Sequence, residues 1–321
     1  MNLKLSAAGF AIQVAKGTAK TQPAFWSPVA GGALVTLGVE QAEDELTSSE
    51  VGSIGEYRES AAVAADYETR AWPQSIAGLL YAALGAIATV GADPPYTHTI
   101  TPAALLPWAT VFGSKDTARR SAPDCKLDEL KIEWEGNLPI KVTTTWAGLG
   151  FTYSAIAYVP VLDEKALEYF KGIALAATID LDGAAYDGGG KVLGGSIDIK
   201  RNLVSGGHSG ALLPDDIDEG SPEIDAEIKY RVPDLVPVRL LLTGSPTGTG
   251  PSIDVPYGEF SLVFTHGADV MTLAATKVAW KTDEPDADPK GGPAELTLQG
   301  RCYGAVPLTA TVVNSHATYT T

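Results

Sequence analysis

Residues 60–80 read SAAVAADYETRAWPQSIAGLL, and residues 223–242 read EIDAEIKYRVPDLVPVRLLL. In the first stretch Val63, Ala65 and Tyr67 alternate with Ala64, Asp66 and Glu68, the period-two pattern of a strand with one buried and one wet face. At Trp72-Pro73 the period changes. Pro73 fits a first helical position, and Ile76, Leu79, Leu80, Ala83, Leu84 and Ile87 recur at three- and four-residue spacing, which predicts a helix. In the second stretch Ile224, Ala226, Ile228 and Tyr230 alternate with Asp225, Glu227, Lys229 and Arg231. There Val232-Pro233 opens a shorter apolar run, Val238–Leu242.

Further matches keep the same order on either side. Thr99–Pro102 resembles Ile253–Pro256, Trp108–Phe112 resembles Phe260–Phe264, and Lys131–Trp134 resembles Lys277–Trp280. Ile140, Val142 and Gly148 match Leu296, Leu298 and Gly304. This pattern predicts a tandem duplication, residues 1–165 and 166–321, joined through a hairpin or linker at 160–193. The segment Thr282–Gly292 reads as an insertion in the second unit, whose helix region is shorter and contains Pro237. The alternative is one large β-sandwich whose strands look alike because half-buried strands do. Leu130, Ile132 and Trp134, alternating with Lys131, Glu133 and Glu135, add another half-wet strand. Gly/Pro-rich clusters at 52–55, 188–190, 244–246 and 248–250 supply turns. The fold class expected is mostly β (α+β), with a helix flanking sheets.

The 321 residues suffice for two domains of ~150 residues, and the formal net charge is −16. Such a balance argues against gripping a phosphate backbone or an anionic lipid surface. It leaves room for a protein that stands beside DNA without holding it. Hydrophobic residues at 45% against 19% charged argue for an ordered chain. Cys125 and Cys302 leave one bridge conceivable and two free thiols the simpler reading. The N-terminal stretch, with Leu5, Phe10, Ile12 and Val14 broken by Ser6, Gly9 and Gln13, reads as a first strand rather than an export signal. No apolar run reaches the ~18 residues of a membrane span, so no membrane partner is expected.

Nothing in the sequence demands an enzyme. His98, His208, His266 and His316 have no partner at ligand spacing, so neither a metal nor a cofactor is expected. Gly207-His208-Ser209-Gly210-Ala211 resembles a nucleophile elbow but lacks the strand before it and the helix after it. Asp180, Asp182 and Asp187 lack the closing Glu of a calcium loop. The acidic segments Asp215–Glu219 and Asp283–Asp288 read as solvated turns. Gly188-Gly189-Gly190 lacks the Lys-Ser/Thr that cradles phosphate.

Gly55–Arg58, the Asp66/Glu68 strand running into Trp72–Leu80, Tyr96–Ile100, Leu106–Val111 and the closing segment Gly304–Tyr319 together resemble a phage tail tube protein of the long, non-contractile-tailed (siphovirus-type) phages. The resemblance implies two packed β-sheets with a flanking helix, subunits that form rings with a continuous inner β-barrel, and rings that stack into a hollow tail. A virion protein of this kind is assembled in the host cytoplasm. It encloses the tape measure protein, meets tail tip and terminator proteins, and conducts the genome without binding it specifically. A single-unit chain makes six-fold rings. A duplicated one would close the same barrel as a trimer with pseudo-six-fold symmetry, the hexamer remaining the alternative. The resemblance further implies inter-ring loops at Gln41–Glu56 and Leu203–Ser221, with candidate residues Gln41, Glu43, Asp44, Glu45, Glu56, Ser209, Asp215, Asp216, Asp218 and Glu219. Asp66, Glu68, Asp225 and Glu227 are candidates for a lumen wall. Their competing reading is outward exposure or pairing with Lys229, Arg231 and Arg70. Rival functions are a tail terminator or distal tail ring, or a surface β-sandwich that binds carbohydrate or cells.

Overall fold

A computed structural model describes residues 7–43, 56–115, 118–154, 168–181, 184–185, 191–231, 236–282 and 295–320. The boundary expected at 165/166, most of the Thr282–Gly292 insertion, residues 44–55, Asp182, Asp187 and Gly188–Gly190 lie outside the described residues.

The chain is mostly β and sandwich-like, and the described residues form no closed barrel by themselves. Its elements are β1 (Ala7–Ile12), β2 (Phe25–Pro28), β3 (Gly31–Glu43), β4 (Glu56–Arg70), α1 (Pro73–Leu84), β5 (Gly85–Val90), β6 (Tyr96–Pro102), β7 (Ala109–Lys115), β8 (Ala118–Glu135), β9 (Lys141–Gly148) and β10 (Thr152–Ser154). They continue with β11 (Leu175–Leu181), β12 (Ala184–Ala185), β13 (Lys191–Lys200), β14 (Val204–Gly206), β15 (Asp216–Asp218), β16 (Glu223–Arg231), α2 (Val236–Thr243), β17 (Tyr257–His266), β18 (Asp269–Thr282), β19 (Glu295–Cys302) and β20 (Thr309–Asn314).

Antiparallel pairing runs β3-β4-β9-β8-β13-β16-β19-β18 through one continuous inner sheet. Two outer layers back it. In one, β1 pairs with β2 and β7, β7 with β8, and β8 with β10. In the other, β11 pairs with β12 and β17, β17 with β18, and β18 with β20. Every pairing among the first ten strands, β5 and β6 apart, therefore has a counterpart among the later ones. The long strands β8 and β18 serve both layers. In β8 the changeover falls at Asp124, whose φ of 53° is the left-handed region, next to Cys125, which faces both Ala109 and Gly148.

Period two accounts for the strands. On β4, Ala61, Val63, Ala65 and Tyr67 are buried, and on β16, Ile224, Ala226, Ile228 and Tyr230 are buried, while the residues between them form the wet face. The core is continuous across the two halves: Trp134 on β8 meets Phe264 on β17 at 5.5 Å, while within the first half Phe10 on β1 meets Trp146 on β9 at 5.9 Å.

One expectation needs correction. The helix begins at Pro73 as expected but ends at Leu84, because Gly85 takes φ 101°, caps the helix by bonding back to Tyr81, and sends Ile87 into β5. The helix flanks the sheets as expected, and it is buried there. Only Gln74 and Tyr81 escape burial, since β20 of the second half joins β6 and β8 of the first in covering the helix. Hairpin β5–β6 makes that cover by pairing with β20, Ile100 opposite Ala310.

Candidate functional site: the polar face of the inner sheet

The inner sheet turns one face to the core and the other to solvent. Because registers align across the strands, side chains on the solvent face fall into rows. One row runs Glu68, Thr143, Lys131, Asp198, Asp225, Arg301 and Ala279. The next runs Arg70, Lys141, Glu133, Ser196, Glu227, Gln299 and Lys281. All four acids proposed from sequence, Asp66, Glu68, Asp225 and Glu227, stand on this face.

Most of the charge there is matched. Lys141 bridges Glu68 at 3.0 Å and Glu133 at 3.6 Å, and Lys131 reaches Glu133 at 2.9 Å. The hydrogen bond from Lys131 holds the Glu133 carboxyl below the usual range, and the bond to Glu68 raises Lys141. Arg301 donates through Nε and Nη2 to both oxygens of Asp225, at 2.8 and 3.0 Å, and through Nη2 to Glu223 at 3.2 Å. These bonds push the guanidinium pKa further up. Lys229 pairs with Glu227 at 3.5 Å and Lys200 with Asp198 at 3.2 Å. Asp66 differs from the others. Burial raises its pKa, a hydrogen bond from Thr145 only partly opposes that, and its Oδ1 has no partner. Burial, with Asp198 alongside, also raises Glu129.

Of the partners expected, Lys229 does take Glu227. Glu68 and Asp225 pair instead with Lys141 and Arg301. Alternation in the sequence puts Lys131, Glu133 and Glu135 on a wet face but does not join them to β4 and β16. The signal that could have done so is the matching alternation of β4, β8 and β16. What it lacks is the order of strands, which only folding supplies.

The second candidate region, Leu203–Ser221, folds back on the first half of the chain through the β14–β15 ribbon, Ser205 opposite Ile217. Lys126 on β8 is its anchor. The ammonium donates to Glu219 Oε1 at 2.6 Å and Ile217 O at 2.8 Å, and lies 4.1 Å from the Trp108 ring centroid. Burial works against ionisation of Glu219, but Lys126 and the Leu106 N–H together hold the carboxyl below its ordinary range. Lys16 donates to Asp216 at 3.0 Å, and the Ala61 N–H donates to Leu212 O at 2.8 Å. Arg201, fully buried beside this loop, donates from Nη2 to Ala103 O at 3.0 Å.

Asp215 pairs with His208 at 2.6 Å in an exposed contact, and Ser209 and Asp218 are exposed. Gly207–Ala211 follows the three-residue β14 and runs into a turn, so the strand-turn-helix frame of a nucleophile elbow is absent there. Gln41 and Glu56 are exposed at the open ends of β3 and β4, and Glu43 lies opposite Glu56. Asp44 and Glu45 are outside the described residues. Among the described residues no group of three or more His, Cys, Asp or Glu is placed to hold a metal. Burial keeps both thiols protonated, that of Cys302 pushed up to about 12.

No curated protein matches the chain. A family model described as phage tail tube protein matches residues 5–313, nearly its whole length. That family is structural rather than enzymatic and its members self-assemble into a tube, so this chain, with its continuous inner sheet, belongs to the phage tail tube proteins.

Proposed function

We propose that the chain is two tail-tube units in tandem, residues 1–165 and 166–321, and that three chains close into a ring of a long non-contractile tail. Rings of this kind stack into a tube that encloses the tape measure, ends at tip and terminator proteins, and conducts DNA during ejection, after assembly in the host cytoplasm. The observation that carries the reading is the repeated pairing pattern, β3-β4-β9-β8 followed without a break by β13-β16-β19-β18. Each chain thereby supplies two equivalent four-stranded arcs, and three chains supply six.

On this reading the polar face lines the bore, and Asp66, Glu68, Asp225 and Glu227 belong to its wall. Its mixed charge suits a conduit. Lysines and arginines already held by carboxylates have little to offer a passing phosphate, and counterion release, which drives DNA binding, needs cations free to take phosphate. Asp225 and Glu68 thus act by occupying Arg301 and Lys141 as much as by repelling DNA. The loops Gln41–Glu56 and Leu203–Ser221 leave the sheet at corresponding ends of their strands and are proposed to meet the adjacent ring.

Negative-stain microscopy of the purified, concentrated protein tests the reading. Hollow tubes support it. Isolated rings that never stack would favour a terminator or distal ring, and particles without a bore would contradict it.

A further inference from the structure

We propose that a second copy of this chain adds its β3 to β18 as an antiparallel neighbour, with Gly38 opposite Lys281 and Leu37 opposite Thr282. The inference rests on the ring reading above and deepens it by naming the contact strands and their register.

The chain contains its own template. At the internal junction, β8 and β13 pair with Glu129 opposite Lys200 and Leu130 opposite Ile199. The corresponding places elsewhere follow from the pairings. Cys125 marks where β8 passes from Ala109 of β7 to Gly148 of β9, and Val278 marks where β18 passes from Gly258 of β17 to Cys302 of β19. Stepping along the sheet, Glu129 opposite Thr145 becomes Lys281 opposite Gln299. On the other side, Gly148 faces Val63, while Asp225 faces Arg301, one residue short of Cys302, so Val63 corresponds to Ile224. Ile199 opposite Ile224 then corresponds to Leu37 opposite Val63, and Lys200 to Gly38.

Burial marks the missing neighbour. Ile199, covered by β8, is 0% exposed, whereas its counterpart Leu37 is 41% exposed and Val39 beside it 38%. Both side chains point to the core side of the sheet, where Trp280 of the copy that receives β3 would lie in the same layer. Side-chain parity agrees, since Gly38 faces Ala62 and Lys281 faces Gln299, all on the polar face. Charge agrees as well: Glu40 would stand diagonally from Lys281, within reach for an ion pair across strands. A strand left at the end of a sheet is an open template for pairing, and closing a ring removes it.

The two kinds of junction are not alike. The internal one is bridged in the outer layer by hairpin β5–β6 pairing with β20, and it encloses α1. Among the described residues no strand lies between α2 and β17, so the junction between copies lacks that bridge. Equivalence therefore recurs every second arc, which is three-fold.

Cysteine pairs test the register. Opposed residues across an antiparallel pair have Cα atoms ~4.5–5.5 Å apart, inside the range a disulfide spans, whereas diagonal pairs lie farther apart. Under mild oxidation, Gly38→Cys with Lys281→Cys, and separately Leu37→Cys with Thr282→Cys, should cross-link about tenfold faster than the slipped pair Gly38→Cys with Ala279→Cys. The covalent ladder should stop at three chains, and the native chain, with buried Cys125 and Cys302, should stay uncross-linked. A charge swap adds a check without disulfides: Glu40→Lys should reduce assembly and Lys281→Glu in the same chain restore it. Micrographs of each sample separate the two claims. Tubes that cross-link no faster in register than out of it overturn the junction and leave the tube reading standing. Cross-linked soluble trimers without tubes uphold the junction and count against stacking. Loss of both cross-links and tubes in all pairs, with no rescue by the charge swap, overturns the junction.

Discussion

Replacing Glu219 with alanine removes the carboxylate that Lys126 holds at 2.6 Å, in a pair whose side chains are only 6% and 10% exposed. Deleting one member of a buried ion pair costs about 3–5 kcal/mol, because the other charge stays behind without its partner. Lys126 would keep Ile217 O and the face of Trp108, which favours the lower figure. Leu106 would lose the acceptor of its N–H, worth roughly 1 kcal/mol. The expected loss is therefore about 3–4 kcal/mol, limited by the free energy at which the β14–β15 ribbon lifts off by itself. Glu219→Gln keeps an acceptor and loses only the charge, so about half that loss should follow. Urea titration of the monomer reads the global change, and hydrogen exchange at the Leu106 amide reads the local one. The pH dependence has a definite sign. The folded carboxyl has a lowered pKa, so its contribution is full above the unfolded value of ~4.3 and fades as pH falls through the folded value. The gap between native and variant protein should thus close under acid. A loss under about 0.5 kcal/mol with unchanged exchange at Leu106 would refute the anchoring role given to this pair.

Three other outcomes follow from the same structure. Asp66→Lys with Asp225→Lys should slow genome ejection while leaving tubes intact, since Arg301 is released toward the bore and two new cations join it; unchanged ejection kinetics in reconstituted phage would remove these acids from the wall. Gly78→Val should destabilise the chain by about 1–3 kcal/mol, because even a Cβ there would stand 2.8 Å from the Phe10 ring and 3.1 Å from Tyr319, and thermal melting measures it. Acid should loosen the C-terminal segment. Buried His98 bonds to Thr89, Asn314 and His316 O, and burial lowers its pKa, so stability is full above the unfolded value of ~6.5 and falls as pH drops toward the folded one; Asn314→Ala should remove the segment's anchor at any pH, and exchange at His316–Thr320 reports both.

Period-two alternation in β4, β8 and β16 made the strands and their wet faces legible, and Pro73 made the helix start legible. Each signal is local. Registers were less so. Trp134 and Trp280 look like counterparts in sequence, yet Trp134 sits opposite Gly195 at the internal junction and Trp280 opposite Gly300 near the changeover of β18. Alternating strands resemble one another at every even shift, so pattern alone does not choose among them. Thr99–Pro102 and Ile253–Pro256 likewise read alike, but the first is β6 and the second lies in the strandless stretch before β17. The anchor of the Leu203–Ser221 loop joins residues 93 apart, and Arg301 meets Asp225 across 76. Such partners depend on which strands become neighbours, and a list of charges carries no trace of it.

The most direct test of the central claim is the symmetry of one ring. End-on class averages of assembled tubes, combined with mass per ring, should give three chains arranged as six similar arcs, with two kinds of junction alternating around the bore. Six intact chains per ring, or six identical junctions, would contradict it.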